Sequence, residues 1–226
     1  MSRLNICCGP NVFPSYGWIN YDREDFNFYF NDMKATRNTL GMPDHQKNLV
    51  AFLQSGGTID FHINDIRKKF PQHPDNTVDG VYIGQAIEHI NPIYEAPAFM
   101  SECYRMLKPE GVLRMTTPDL DLLINAYKNN EMDKFAIEQP AFYKNADPSA
   151  QLSYLMYGAG GPNCTWDNYE GHMHLYTQKS MTAMLLSIGF KDIIFFYEVG
   201  KSKDPVMAKE CVDAGMTHSF IVEAIK

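Results

Sequence analysis

The sequence predicts an α/β fold, doubly wound around a mostly parallel sheet, with an antiparallel hairpin at one edge. Two patterns carry this. Short apolar runs alternate with helical-period segments through the first half, and that order implies parallel strands with helices on both faces. The last two strand-like runs have no strong crossover helix between them and so read as an edge hairpin. A third observation sets the scale. The chain has 226 residues, 45% of them hydrophobic, which suits one domain over 1–226.

The elements follow in order. Leu4 to Cys8 is a short apolar run closed by Gly9-Pro10-Asn11, a strand ending in a turn. Trp18 to Asp22 is a second strand that ends in an acid. From Met42 to Leu53 the period is helical, with Leu49, Val50 and Leu53 on one face and Gly56-Gly57 as the stop. Thr58 to Ile63 alternates as a strand does, and Val78 to Ile83 is another strand, ending at Gly84-Gln85. Ile93, Ala96, Met100, Cys103, Tyr104 and Leu107 repeat at helical spacing. After the Pro109-Glu110-Gly111 turn come a strand over 112–117 and a helix with Asp119 as its N-cap and Leu120, Leu123, Ile124 and Tyr127 as its stripe. Residues 128–176 break the rhythm, being rich in Tyr, Asn, Gly and Pro, and read as an insertion or lid. A helix through Met181, Met184, Leu185 and Ile188 ends at Gly189. Strands over 193–197 and 219–225 finish the chain.

The composition excludes several classes. Lys and Arg number 20 against 27 Asp and Glu, a net charge of −7, which argues against a broad nucleic-acid or anionic-membrane surface. No apolar run approaches the ~20 residues of a membrane span, and the opening residues show no signal-peptide pattern. The five cysteines form no CxxC pair, and Cys7-Cys8 read as small apolar residues at a strand end. A reduced, cytoplasmic setting is expected.

In an open parallel sheet the ligand lies beyond the carboxyl ends of the strands. Those ends carry Cys8-Gly9-Pro10-Asn11, Asp22, Asn64-Asp65-Ile66, Gln85-Ala86-Ile87-Glu88-His89 and Thr117-Pro118-Asp119. Acids and amides dominate, with no Lys or Arg at the first turn. Neither GxGxxG nor GxxxxGK[ST] follows a strand, and Pro10 has no N–H for a phosphate. A nucleoside without phosphates fits better: Asp22 can accept ribose hydroxyls, and Asp65 an adenine amine. The plainer alternatives are a solvated strand end for Asp22 and a turn cap or Arg67 pair for Asp65.

These residues resemble a family. Leu4 to Asn11 followed by Gly17-Trp18-Ile19-Asn20-Tyr21-Asp22 is similar to the opening of small class I S-adenosylmethionine-dependent methyltransferases, type 11-like. Asp79 to Tyr82 with Ala86-Ile87-Glu88-His89-Ile90, Glu102 to Leu113, and His174-Leu175-Tyr176 leading to Phe190 resemble later segments. The resemblance covers roughly 3–119 and 172–197. It implies a Rossmann-like methyltransferase fold, S-adenosylmethionine as cofactor and a small-molecule methyl acceptor. It also implies a cofactor-binding set of Asn5, Cys7, Cys8, Gly9, Asn11, Asp22, Asn64, Asp65, Ile66, Gln85, Ala86 and His89. Gly9 and its neighbours would face the methionine part, Asp22 the ribose, Asp65 and Ile66 the adenine, and Gln85 the sulfonium. The family usually has glycine where Cys7 stands, and the interval from Gly9 to Asp22 is too short for the usual helix.

His89, His172 and His174 are the catalytic candidates, because imidazole titrates near neutral pH; Asp119 and Tyr169 are weaker ones. Asp167, Glu170, His172 and His174 form an incomplete metal set, since no second His or Cys pair accompanies them, and no metal is assigned. Two alternatives stand beside methyl transfer: a non-catalytic cofactor-binding module and a nicotinamide-dependent oxidoreductase. A homodimer is an open option.

Overall fold

The computed structural model describes residues 2–15, 17–42, 44–138, 147–158, 171–211 and 217–226. Its strands are β1 (Arg3–Ile6), β2 (Trp18–Asp22), β3 (Phe61–Ile63), β4 (Val78–Gly84), β5 (Leu107–Pro118), β6 (Lys191–Phe196) and β7 (Ser219–Ile225). Its helices are α1 (Asn27–Ala35), α2 (Asp44–Gln54), α3 (Glu95–Met106), α4 (Leu120–Lys128), α5 (Pro148–Tyr157), α6 (Gln178–Ile188) and α7 (Pro205–Glu210). The strands form one sheet in the order β3-β2-β1-β4-β5-β7-β6. The first five are parallel, while β7 runs antiparallel to both β5 and β6. The edge pair is therefore antiparallel as expected, but it is no tight hairpin. The chain passes through α7 between β6 and β7.

Side chains alternate across the sheet with a period of two. Leu4, Ile6, Val81, Ile83, Leu113 and Met115 join Phe99, Met100 and Cys103 of α3 and Met181 and Leu185 of α6 in the main core. The opposite face buries polar groups. Asn5 and Asn20 bond to each other at 3.0 Å. Arg3 pairs with Asp204 at 2.7 Å and Arg114 with Glu223 at 2.8 Å. A smaller apolar cluster there joins Trp18, Val112 and Ile225 to Met207 of α7. A third unites Cys8 and Val12 with α1 and α2.

Several elements depart from expectation. Helix α1 was not foreseen, because it buries only Phe30 and Met33 and has no side-chain N-cap. β3 is three residues long and leaves Ile63 exposed, as its edge position allows. In α4 it is Ala126, not Tyr127, that is buried. Asp119 caps α4 by accepting from Asp121 and Leu122, and Gly189 ends α6 with φ 116°, both as read from the sequence. Of the 128–176 segment, residues 139–146 and 159–170 lie outside the described residues. The rest packs on α4 through a small core of Leu123, Met132, Phe135, Leu155 and Leu175.

Candidate functional site

Strand register aligns the carboxyl ends. Ile6 pairs with Tyr21 and Ile83, Asp22 with Ile63, and Gly84 with Thr116. The chain leaves β1 toward β2 on one side, while β4 takes the other side. The turns after β1 and β4 thus flank the crevice where the strand order reverses, the usual ligand position in such sheets.

The first turn is pinned from several sides. Cys7 and Gly9 both adopt left-handed backbone angles, φ 57° and 51°. Cys7 therefore takes the conformation that glycine adopts readily, despite its Cβ. The Gly9 N–H donates to Asp22 Oδ2 at 2.8 Å, and the Glu24 N–H donates to Oδ1 at 3.1 Å. Open space surrounds the point where a Cβ on Gly9 would project. A carboxylate so held keeps unused lone pairs for further donors. Burial, with Asp22 adding to it, pushes the Cys7 and Cys8 thiols far up, so neither is a thiolate at neutral pH.

The other expected cofactor residues divide. Asn5 stands behind the turn: its amide donates to the Asn11 carbonyl at 2.9 Å and to Asn20, so it shapes the loop. Asn64 ties β3 to β2 through its N–H and the Asp22 carbonyl, at 2.8 Å. Asp65 is claimed by Arg67, whose Nε lies 2.9 Å from Oδ1, and this contact holds its carboxyl below the usual range. Ile66 is buried in the main core. Gln85 has φ 49° and donates from Nε2 to Ser219 Oγ at 3.0 Å, so its side chain turns toward β7. Ala86 is buried and precedes a single 3-10 turn, Ile87–His89.

That turn brings together residues distant in sequence. The Glu88 carbonyl accepts from the N–H groups of Met173 and His174, at 2.7 and 3.2 Å, docking 171–176 onto the end of β4. His89 and His172 then meet with ring centroids 5.0 Å apart. Between them and the core lies Glu88, fully buried. Its Oε2 accepts from Thr117 Oγ1 at 3.0 Å, while Oε1 has no hydrogen-bond partner among the described residues. His89 Nε2 lies 3.9 Å from that Oε1. Burial raises the Glu88 carboxyl to about 7. Burial, with His89 adding to it, lowers His172 to about 4. His174 stands edge-on to Tyr176, with ring centroids 4.7 Å apart.

Asp119 caps α4 and accepts from the Tyr197 hydroxyl at 2.7 Å. The sequence assigned no metal from Asp167, Glu170, His172 and His174, and the first two, with Tyr169, lie outside the described residues. His172 instead meets Glu88 and His89, whose ligand atoms all lie within 4.8 Å of one another. No spacing could have shown this, because the docked segment is distant from β4 in sequence.

Residues 33–115 match a family model described as a methyltransferase domain, a span that includes Gln85 to His89 and begins after Asp22. Among solved structures, a SAM-dependent methyltransferase from Methanosarcina mazei is 16% identical, with TM-score 0.56, over 100% of this chain and 92% of that one. One from Archaeoglobus fulgidus is 16% identical, TM-score 0.51, over 100% and 86%. An S-adenosylmethionine-dependent methyltransferase from Mesorhizobium loti is 13% identical, TM-score 0.50, over 100% and 90%. No curated protein matches the sequence. The structures show the fold, and the family match likens residues 33–115 to a methyltransferase domain, for which S-adenosylmethionine is the implied cofactor. The alternatives of a nicotinamide oxidoreductase and a bare binding module gain no support.

Proposed function

We propose that the enzyme transfers the methyl group to a nucleophilic oxygen or nitrogen of a small molecule held beside Glu88, His89 and His172. The observation that carries this is the docking of 171–176 on Glu88, which gathers these groups at the turn after β4, across the crevice from the Gly9–Asp22 turn. The bound cofactor supplies an activated methyl group. The chain's part is to hold it, align the acceptor and exclude water. In this reading Asp22 accepts the ribose hydroxyls, Gly9 allows close approach of the methionine part, and Ile66 lies under the adenine. Asp65 reaches the adenine only by sharing its carboxylate with Arg67. Residues 128–176 close over the acceptor.

A small acceptor accords with the net charge of −7 and with the neutralisation of Arg67 by Asp65. Among the described residues no helix is long and apolar enough to cross a membrane. Among the described residues Cys7, Cys8, Cys103 and Cys211 form no disulfide, which accords with a reduced cytoplasmic setting.

The test is transfer of labelled methyl from S-adenosylmethionine to a panel of small alcohols, phenols, carboxylates and amines. Deletion of 140–170 should abolish transfer and leave cofactor binding measurable. Transfer to nucleic acid or protein alone would contradict the small-molecule reading.

A further inference from the structure

We propose that Glu88, His89 and His172 form a binding site for a divalent cation of the zinc class, with one coordination position open. The ion's place beside the transfer crevice rests on the function proposed above; the ligand set itself does not.

His89 Nδ1 lies 3.2 Å from the Gly171 carbonyl, and His172 Nδ1 lies 3.1 Å from the Met156 carbonyl. A carbonyl can only accept, so each Nδ1 carries the proton and each neutral ring has its lone pair on Nε2. Backbone carbonyls holding the far nitrogen are the usual supports of ligating histidines.

Glu88 is fully buried, and its Oε1, facing His89 Nε2 at 3.9 Å, has no hydrogen-bond partner among the described residues. A buried acceptor left unpaired is costly, and a cation would satisfy it. The Tyr176 hydroxyl is likewise buried without a hydrogen-bond partner among the described residues.

A Cβ on Gly158, where φ is 69°, would lie 3.0, 3.0 and 3.2 Å from Cδ2, Nε2 and Cε1 of His172. Near-equal distances put Gly158 over the ring face, clear of the plane in which the Nε2 lone pair points.

Two histidines and a glutamate suit zinc, with bonds of about 2.0–2.2 Å and a fourth position for water or substrate. The ligand atoms lie within 4.8 Å of one another, so modest side-chain rotation closes the shell. The open position would take the acceptor's oxygen or nitrogen.

The experiment is calorimetric titration of Zn²⁺ into chelator-treated protein, repeated for His89→Ala, His172→Ala, Glu88→Gln and His62→Ala, with each fold checked by thermal melting. His62 is exposed and paired with Asp60, so it serves as the control. The expected result is one saturable equivalent in wild type and His62→Ala, weakened on the order of 100-fold in the other three. No saturable site in wild type, or equal affinity in His89→Ala and His172→Ala, would overturn the proposal. S-adenosylhomocysteine binding, measured on the same preparations, separates the two readings: zinc without cofactor binding removes the proposed function and leaves the cation site.

Discussion

Glu88 and His172 oppose each other in their effect on stability. Glu88 titrates near 7 when folded against an ordinary 4.5, so the native state holds its proton longer than the unfolded chain. Stability therefore falls as pH rises from about 4.5 to 7, by about 3 kcal/mol if the whole shift is expressed. His172 titrates near 4 against 6.5, so the unfolded chain binds its proton first as pH falls. Its contribution is present above pH 6.5 and lost toward 4. In chelator-treated protein, Glu88→Gln should make stability rise more steeply with pH between 4 and 6.5 than in wild type. His172→Asn should tilt the slope the other way, and urea midpoints across pH 4–7.5 would check both. Cys7 gives a second prediction. At φ 57° a β-branched side chain is strained, so Cys7→Val should lose about 1–2 kcal/mol in urea melts. Cys7→Gly should stay within about 1 kcal/mol of wild type, exchanging side-chain packing for backbone ease.

The antiparallel edge depends on one side chain more than its sequence suggests. Asp204 caps α7 by accepting from Val206 and Met207, and it also receives Nε and Nη2 of buried Arg3 on β1. Asp204→Ala should cost about 3–5 kcal/mol, because it strands a buried guanidinium as well as a cap. Lys203→Ala, nearby and exposed, should cost under about 0.5 kcal/mol, as surface changes do. Thermal unfolding of the pair would test this. Elements with a clean period were legible in the sequence: β4, α3, β7 and the Asp119 cap were all read from spacing and turn chemistry. α1 and α7 were not. The first has a thin buried face of two residues, and the second is a six-residue helix that buries only Met207. β3 was overextended because Ile59, Phe61 and Ile63 alternate, yet only Phe61–Ile63 finds a partner strand.

At the scale of the whole molecule, the meeting of the turns after β1 and β2 was legible in the sequence and the docking of 171–176 on the turn after β4 was not. Gly9 and Asp22 belong to adjacent strands whose ends meet in any parallel sheet, so their 2.8 Å contact follows from topology. The Glu88–His89–His172 group requires 171–176 to dock on β4, a tertiary event that no local pattern announces. The side chains of Asn5, Asp65 and Gln85 are bound to Asn11 and Asn20, Arg67 and Ser219 respectively, partners that no local pattern announces. The central claim is that the Gly9–Asp22 turn binds the nucleoside of S-adenosylmethionine. Titration calorimetry with S-adenosylhomocysteine tests it most directly. One site per chain is expected in wild type. Hydrogen bonds to a charged group contribute about 1.5–3 kcal/mol each, so Asp22→Ala should weaken binding at least about tenfold while the protein still melts cooperatively. Absence of binding in wild type, or equal affinity in a folded Asp22→Ala, would contradict the account.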